Sequence, residues 1–197
     1  MAKKIREKSP KAGEAGKSEA PAKTASVNAR SRSASPSKMG DDELEAGMRA
    51  PAFRLSREDG ALVSLADFKG RKLVIFFYPR ADTPGCTREA IDFTRLADDF
   101  AASDTALLGV SADPVSKQKA FRAKHGLAMP LASDLTQEML QQYGVWGKKV
   151  MYGKTFDGIF RTTLLIGRSG RIARIWRNVK VEGHADEVLA AARALPE

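Results

Sequence analysis

Apolar runs recur along the chain after residue 47. They cover residues 73–79 (LVIFFYP), 106–112 (ALLGVSA) and 161–167 (RTTLLIG). A run without polar alternation is typical of a strand that is covered on both faces of its sheet. The third run reaches a fourth segment, 172–179 (IARIWRNV), through residues 167–170 (GRSG), a hairpin turn signal. We therefore predict a buried central sheet whose last two strands form a hairpin.

Helical patterns separate these strands. After Cys86, the apolar residues Ala90, Phe93, Ala97 and Phe100 recur at intervals of three and four, which predicts one face of a helix. Further segments end in glycine or contain helix-favouring residues: 116–126 (SKQKAFRAKHG), 137–144 (QEMLQQYG) and 184–195 (HADEVLAAARAL). This alternation predicts an α/β layer fold, with a central sheet that the final hairpin makes mixed.

Composition changes sharply near residue 40. Residues 1–40 contain no Leu, Phe, Trp or Tyr, and all 14 aromatic residues come later. Such a segment cannot bury enough apolar surface to offset the entropy of ordering it. We predict a disordered basic arm, rich in Ala, Ser and Lys, over residues 1–46 and one domain over residues 47–197.

The formal net charge of +9 is divided unevenly, with +7 in residues 1–40, −4 in 41–46 and +6 in 47–197. A basic arm can hold a protein on nucleic acid or on an anionic surface, and serine and arginine are also common in transit peptides. A solubilising tail is the third interpretation, and composition leaves all three open. Nucleic acid is therefore only a weak partner prediction. The predicted location is the cytoplasm, or the nucleus or a plastid if the arm is an address.

The chain has a single cysteine, Cys86, and two histidines. One cysteine excludes an internal disulfide, a CxxC redox pair and a thiolate zinc cluster. No stretch approaches the ~20 apolar residues of a membrane span, no Sec-type signal is recognisable, and no glycine-rich nucleotide loop is present. We predict no metal, no cofactor and no membrane partner.

Cys86 lies where a buried strand turns into a helix. Thr83 before Pro84 predicts the helix start, because threonine is a good N-cap and proline is favoured at the first helical position. In the first turn, unpaired backbone N–H groups and the helix dipole favour thiolate over thiol. The alternative is a small buried side chain without a chemical role. Neither His125 nor His184 lies in a segment that points at Cys86, which disfavours a Cys-His hydrolase.

The residues around Cys86 resemble a known active-site signature. Pro79-x3-Thr83-x2-Cys86 matches the P-x3-T-x2-C signature of the peroxiredoxins, and FFYPRADTPGCTREA is similar to their Q-type, or bacterioferritin-comigratory-protein, branch. The resemblance extends in order through most of residues 47–197 and leaves the arm outside. It implies a thioredoxin-like fold and a thiol-dependent peroxidase that serves antioxidant defence and redox homeostasis.

The resemblance implies a role for each matched catalytic residue. Cys86 would be the peroxidatic nucleophile, which attacks a peroxide oxygen and becomes a sulfenic acid. The Thr83 hydroxyl, the Cys86 backbone N–H and Arg161 would stabilise the charge that develops on the peroxide oxygens. From its own location, the Thr83 hydroxyl is placed to donate to the sulfur or to a substrate oxygen. Arg161 has an alternative as a strand-edge arginine in solvent.

Supporting roles are implied for three further residues. Pro79 would shield the sulfur from water, and Gly85 belongs to the matched turn. Glu89 resembles a family position that orients the site, but a first-turn glutamate also complements the dipole of any surface helix.

The chain departs from the family at the second cysteine. Many Q-type members carry a resolving cysteine five residues after the first, where this chain has Ile91, and others place it on a later helix. We therefore predict a one-cysteine mechanism that reduces hydrogen peroxide and organic hydroperoxides with an external thiol, glutathione with glutaredoxin or thioredoxin. We expect a monomer or weak homodimer. The alternative function is a non-catalytic redox sensor or a nucleic-acid-associated protein.

A basic run lies across the predicted final hairpin. Its members are Arg168, Arg171, Arg174, Arg177 and Lys180. A solvated face is the favoured interpretation, and an anion or nucleic-acid patch is the alternative.

Overall fold

The computed structural model describes residues 43–151 and 153–196. Within these residues the strands are β1 (Arg54–Arg57), β2 (Leu62–Ser64), β3 (Lys72–Phe77), β4 (Thr105–Ser111), β5 (Leu131–Ser133), β6 (Trp146–Met151), β7 (Lys154–Ile159), β8 (Thr162–Ile166) and β9 (Ile172–Arg177). The α-helices are α1 (Pro84–Arg95), α2 (Ala97–Ala102), α3 (Val115–His125), α4 (Glu138–Gln142) and α5 (His184–Ala194), and a short 3₁₀-helix covers Leu65–Phe68.

A mixed sheet forms the centre of the described part. Its strand order is β2-β1-β5-β4-β3-β8-β9, and β6 pairs with β7 in a separate hairpin. Strand β3 pairs in parallel with β4 and antiparallel with β8. The four strands predicted from apolar runs are present, and β8 turns into β9 at residues 167–170, as predicted.

Alternate side chains of β3 pack into two cores on opposite faces of the sheet. Phe76 belongs to one core, where its ring stacks on Phe93 of α1 with centroids 4.7 Å apart. Phe77 belongs to the other core and packs against Tyr143, beyond α4. Each large apolar side chain buried in this way contributes about 1.5–3 kcal/mol to the free energy of unfolding. The two cores fix the end of β3, from which the chain runs toward Cys86.

The helical pattern after Cys86 belongs to two helices rather than one. Helix α1 ends at Arg95, Leu96 is its C-cap, and α2 begins at Ala97. The N–H of Phe100 still donates to the carbonyl of Leu96 at 2.9 Å, so the apolar stripe continues across the break. The spacing of apolar residues is therefore nearly that of a single helix.

The domain begins earlier than the sequence predicts. Glu43 forms an ion pair with Arg177 at 2.9 Å, Leu44 is buried, and the N–H of Gly47 donates to the Ile172 carbonyl at 2.7 Å. Residues 43–46 therefore pack on the sheet, and the boundary predicted after residue 46 lies too late. The predicted disorder of the rest of the arm falls on residues 1–42, outside the described residues.

None of the helices in the described ranges is long and apolar enough to cross a membrane.

Candidate active site

Cys86 lies in the first turn of α1. Thr83 is the N-cap, with extended backbone (φ −96°, ψ 152°), and Pro84 is the first helical residue, as predicted. The first intrahelical bond joins the N–H of Thr87 to the Thr83 carbonyl at 2.8 Å, so the Cys86 N–H precedes the helical ladder. The Cys86 side chain is only 2% exposed. The sulfur is therefore buried beside backbone donors at the positive end of a helix.

Arg161 reaches the sulfur from a distant part of the chain. Strands β3 and β8 are antiparallel, and Phe77 pairs with Thr162, so the end of β3 and the start of β8 meet at one edge of the sheet. From this edge the Nη2 of Arg161 donates to the Cys86 Sγ at 3.3 Å. The Arg161 side chain is 16% exposed, so the alternative of an arginine in solvent is wrong. A guanidinium at this distance stabilises a thiolate.

Glu89 holds the other side of the same guanidinium. Its Oε2 accepts from the Nη1 of Arg161, and its side chain is 1% exposed. Its Oε1 is buried, and no hydrogen-bond partner for it is found within residues 43–151 and 153–196. Burial raises the pKa of Glu89 to about 7, although Arg161 opposes that rise. The alternative of a glutamate on an exposed helix face is wrong.

Arg161 remains cationic between these two partners. Burial by itself would lower its pKa, but the Glu89 carboxylate and the Cys86 sulfur outweigh burial, and the pKa is raised. The guanidinium therefore carries a fixed positive charge against the sulfur, with one nitrogen committed to Glu89 and another to Cys86.

The Thr83 hydroxyl is engaged differently from the expectation. It donates to the carbonyl of Arg80 at 2.9 Å, and no contact with the Cys86 sulfur is found in the described part of the chain. Because the hydroxyl proton is committed to that carbonyl, the Thr83 oxygen is left to accept a hydrogen bond. The O–H group of a substrate is the kind of donor from which the Thr83 oxygen could accept this hydrogen bond.

Pro79 and Gly85 are exposed close to the buried sulfur in sequence. A Cβ added to Gly85 would lie 3.4 Å from the Nη2 of Arg161, the nitrogen that contacts Cys86. A glycine here therefore leaves the guanidinium room beside the helix start.

The two histidines are occupied elsewhere. The Nε2 of His125 lies 2.7 Å from Asp82, and the Nε2 of His184 lies 2.8 Å from the Thr163 hydroxyl. His184 is buried, and burial lowers its pKa to about 4. Neither arrangement forms a Cys-His pair with Cys86, and the described ranges contain no cluster of three or more His, Cys, Asp or Glu that could hold a metal ion.

The arginines of the basic run have partners within the fold. Arg168 pairs with Asp104 at 2.7 Å, and Arg174 pairs with Glu187 at 2.6 Å. Arg171 donates to the Gly47 carbonyl at 2.7 Å, and Arg177 pairs with Glu43. These contacts favour a structural, solvated face over an anion patch.

Glu89 makes the stability of the fold depend on pH. Its pKa is about 7 in the folded chain against an ordinary 4.5, so the folded state keeps this proton to a higher pH than the unfolded state does. The contribution of Glu89 to the free energy of unfolding is therefore full below about pH 4.5 and decreases as the pH rises to about 7. Between about pH 5 and about pH 8, we expect the wild type to lose on the order of 1–3 kcal/mol relative to Glu89→Gln in urea unfolding.

His184 has the opposite effect on the pH dependence of stability, and it is present in both the wild type and Glu89→Gln. Its folded pKa is depressed, so the stability that it contributes is present above about pH 6.5 and is lost as the pH falls toward about 4. The comparison of wild type with Glu89→Gln cancels this contribution. An identical pH dependence in the two proteins would contradict a buried, late-titrating Glu89.

Comparison with known proteins gives similarity over most of the chain. The model for the AhpC/TSA family matches residues 46–175. Peroxiredoxin Bcp of Bacillus subtilis is 39% identical over 154 residues, which are 78% of this chain and 98% of that protein. Peroxiredoxin Bcp of Escherichia coli K12 is 40% identical over 146 residues, which are 74% of this chain and 94% of that protein.

Solved structures show the same fold. The bacterioferritin comigratory protein of Xanthomonas campestris, studied for its alkyl peroxide reduction activity, is 42% identical, with a TM-score of 0.72. The match covers 76% of this chain and 98% of the Xanthomonas chain. A cysteine-to-serine variant of Xylella fastidiosa PrxQ is 35% identical, with a TM-score of 0.74. The match covers 78% of this chain and 98% of the Xylella chain. The predicted thioredoxin-like fold is confirmed.

Proposed function

The chain belongs to the AhpC/TSA family, among the peroxiredoxins named Bcp or peroxiredoxin Q, and from this premise we propose that Cys86 is its peroxidatic sulfur. Peroxiredoxins are thiol-dependent peroxidases, so the chain is an antioxidant enzyme. The observation that supports Cys86 in this role is its contact with Arg161, a buried cation 3.3 Å from the sulfur. A cation in a site largely removed from water stabilises thiolate far more than one in bulk solvent does.

The first step oxidises Cys86. The thiolate attacks the terminal oxygen of the peroxide, and an S–O bond forms as the O–O bond breaks. The electron pair of that bond leaves on the second oxygen, which takes a proton and departs as water or an alcohol. The sulfur loses two electrons and becomes a sulfenic acid, while the peroxide gains the same two.

Arg161 and Thr83 would act on the charge that moves during this step. Arg161 faces the sulfur, so its guanidinium stabilises both the thiolate and the negative charge that develops on the peroxide oxygens. The Thr83 oxygen would accept the O–H of the peroxide, because its own proton is held by the Arg80 carbonyl. Glu89 would hold the guanidinium in place, and Pro79 and Gly85 would shape the entrance.

The second step needs a thiol from outside the chain, because Cys86 is the only cysteine. A first thiol attacks the sulfenic acid, forms a mixed disulfide with Cys86 and releases water. A second thiol then attacks the mixed disulfide, frees Cys86 as a thiol and leaves as a disulfide with the first. Two external thiols are oxidised for each peroxide reduced.

The substrates that we propose are hydrogen peroxide and small organic hydroperoxides, with glutathione and glutaredoxin or with thioredoxin as the reductant. The alkyl peroxide reduction activity of the Xanthomonas relative supports the organic substrates. A cytoplasmic location is proposed as well, since a reducing compartment returns the single sulfur to its thiol form between turnovers. A monomer or weak homodimer stays a prediction, as does an association of the arm with nucleic acid.

Mass spectrometry tests the one-cysteine cycle. After one equivalent of hydrogen peroxide, we expect the chain to gain the mass of one oxygen atom at Cys86. Glutathione added next should convert that product to a glutathione adduct, and excess glutathione should restore the free thiol. The buried position of Cys86 disfavours a disulfide between two chains.

Two results would contradict this cycle. An unmodified Cys86 after peroxide has been consumed would reject it as the reacting sulfur. A Cys86-linked dimer as the main product would keep the peroxidase activity but reject resolution by an external thiol.

A further inference from the structure

We propose that Asp113 and Gln118 are positioning residues that hold the active-site turn, residues 78–83, in the conformation that receives peroxide. The proposal rests on the peroxidase function above and adds to it one residue from the loop between β4 and α3 and one from α3. Both lie outside the matched signature around Cys86.

Asp113 is hydrogen-bonded to the middle of the turn. Its Oδ2 accepts the backbone N–H of Ala81 at 2.7 Å and the Ser111 hydroxyl at 3.0 Å. Its Oδ1 accepts from the Nζ of Lys117, one helical turn on, at 2.6 Å. The two oxygens are therefore both engaged, and one of them is aimed at the backbone of the turn. A carboxylate makes a stronger acceptor for an N–H than a neutral group does.

Gln118 holds the start of the turn. Its Oε1 accepts from the hydroxyl of Tyr78, the residue that follows β3. Its Nε2 donates to the Ser111 hydroxyl at 2.8 Å and to the Ala132 carbonyl at 3.1 Å. Gln118 and Tyr78 are both fully buried, and a buried polar network with its groups paired has one well-defined geometry.

The hydrogen bonds to Tyr78 and to Ala81 are two ties that hold the turn. They flank Pro79 and Arg80, which are exposed. Tyr78 is held on one side and Ala81 on the other, so the direction of the Arg80 carbonyl between them is set. That carbonyl accepts the Thr83 hydroxyl. The orientation of the Thr83 oxygen therefore depends on Asp113 through two hydrogen bonds, which the Arg80–Ala81 peptide group joins.

A third tie joins the same turn to the end of α3. Asp82 has a positive φ of 61°, which is uncommon for a residue other than glycine. Its two oxygens pair with Lys124 and His125, each at 2.7 Å. The pair with Lys124 is largely exposed and contributes little by itself. Together the three ties make α3 and the residue before its N-cap the support of the turn.

The test compares two reactions of the same sulfur. The reaction with peroxide depends on the active-site turn and on Thr83, whereas the alkylation of Cys86 by iodoacetamide depends on neither. In Asp113→Ala, we expect the second-order rate with hydrogen peroxide to fall about 10- to 100-fold, as a misplaced catalytic group does. The alkylation rate should stay the same or rise, because a looser turn opens the buried sulfur.

Matched variants separate positioning from stability. Lys117→Ala removes a partner of Asp113 that does not touch the turn, and we expect its peroxide rate to stay within about twofold of wild type. Asp113→Asn should recover much of the peroxide rate, because its amide oxygen can still accept from Ala81. Should Asp113→Ala fail to fold, Tyr78→Phe loosens the other tie, and a fall of about tenfold with unchanged alkylation is expected.

Two outcomes would overturn the proposal. One is a peroxide rate that does not change in a folded Asp113→Ala or Tyr78→Phe variant. The other is an equal fall in the peroxide and alkylation rates, which would mean that Asp113 acts on the reactivity of the Cys86 sulfur itself and not on the positioning of peroxide. A wild type that does not consume peroxide would reject the proposed function itself, so the two failures are distinguishable.

Discussion

Replacing Cys86 by serine removes peroxide consumption. We expect the rate to fall by about four orders of magnitude or more, because a serine hydroxyl is not ionised at neutral pH and cannot accept an oxygen atom as sulfur does. Peroxide disappearance in the presence of dithiothreitol measures this. The fold should be retained, since serine has nearly the same shape and its hydroxyl can accept from the Nη2 of Arg161 in place of the sulfur.

The control for this variant is its stability. Urea unfolding should show a midpoint close to wild type, which attributes the lost activity to chemistry. Equal peroxide consumption in a folded Cys86→Ser and in wild type would reject the enzyme mechanism, because the chain has no other cysteine.

Replacing Arg161 by glutamine has the second largest effect. We expect the second-order rate with peroxide to fall about 10²- to 10³-fold, the loss typical of removing one donor to developing charge. Glutamine cannot carry the positive charge that faces both Cys86 and Glu89. Arg161→Lys should recover little of this loss, because one ammonium group cannot contact both partners in the geometry of the guanidinium fork.

Arg88 provides the matched control. It lies on α1 two residues after Cys86, but it is 71% exposed and pairs with Asp92. Arg88→Gln removes the same charge from the same neighbourhood, and we expect a rate within about twofold of wild type, since exposed pairs contribute little. If the Arg88 and Arg161 variants were equally slow, general positive potential would explain the rate and the Arg161 contact would not.

Local features of the site could be predicted from the sequence, and its long-range contacts could not. The helix start at Thr83 and Pro84 depends on neighbouring residues alone, so the first-turn position of Cys86 could be predicted. Arg161 lies 75 residues from Cys86, and only the family resemblance indicated it. Their contact depends on the antiparallel pairing of β3 with β8, and the choice of neighbouring strands is not encoded in either segment.

The buried state of Glu89 shows the same limit. Glu89 lies in the second turn of α1, and whether a glutamate there is buried depends on what packs against it, which in this fold is Arg161. Asp113, by contrast, carries a usable signal in the sequence, because it lies two residues after the end of β4, and β4 runs parallel to β3. Polar residues after adjacent parallel strands meet at one edge of a sheet.

Fold prediction succeeded where strands are long and apolar. The short strands β1, β2 and β5 have only three or four residues each, too few for a period to be recognised. The β6–β7 hairpin is rich in glycine and lysine and largely exposed, so it lacks the apolar pattern of a covered strand. These elements needed the packing of the whole chain to be located.

The most direct test of the central claim is a titration of the Cys86 thiol with hydrogen peroxide in the absence of any other thiol. Samples receive increasing amounts of peroxide up to one equivalent, and the free thiol is counted after unfolding. We predict the loss of one thiol for each peroxide consumed, with full recovery when glutathione is added. Peroxide consumption that leaves the Cys86 thiol intact would contradict the account.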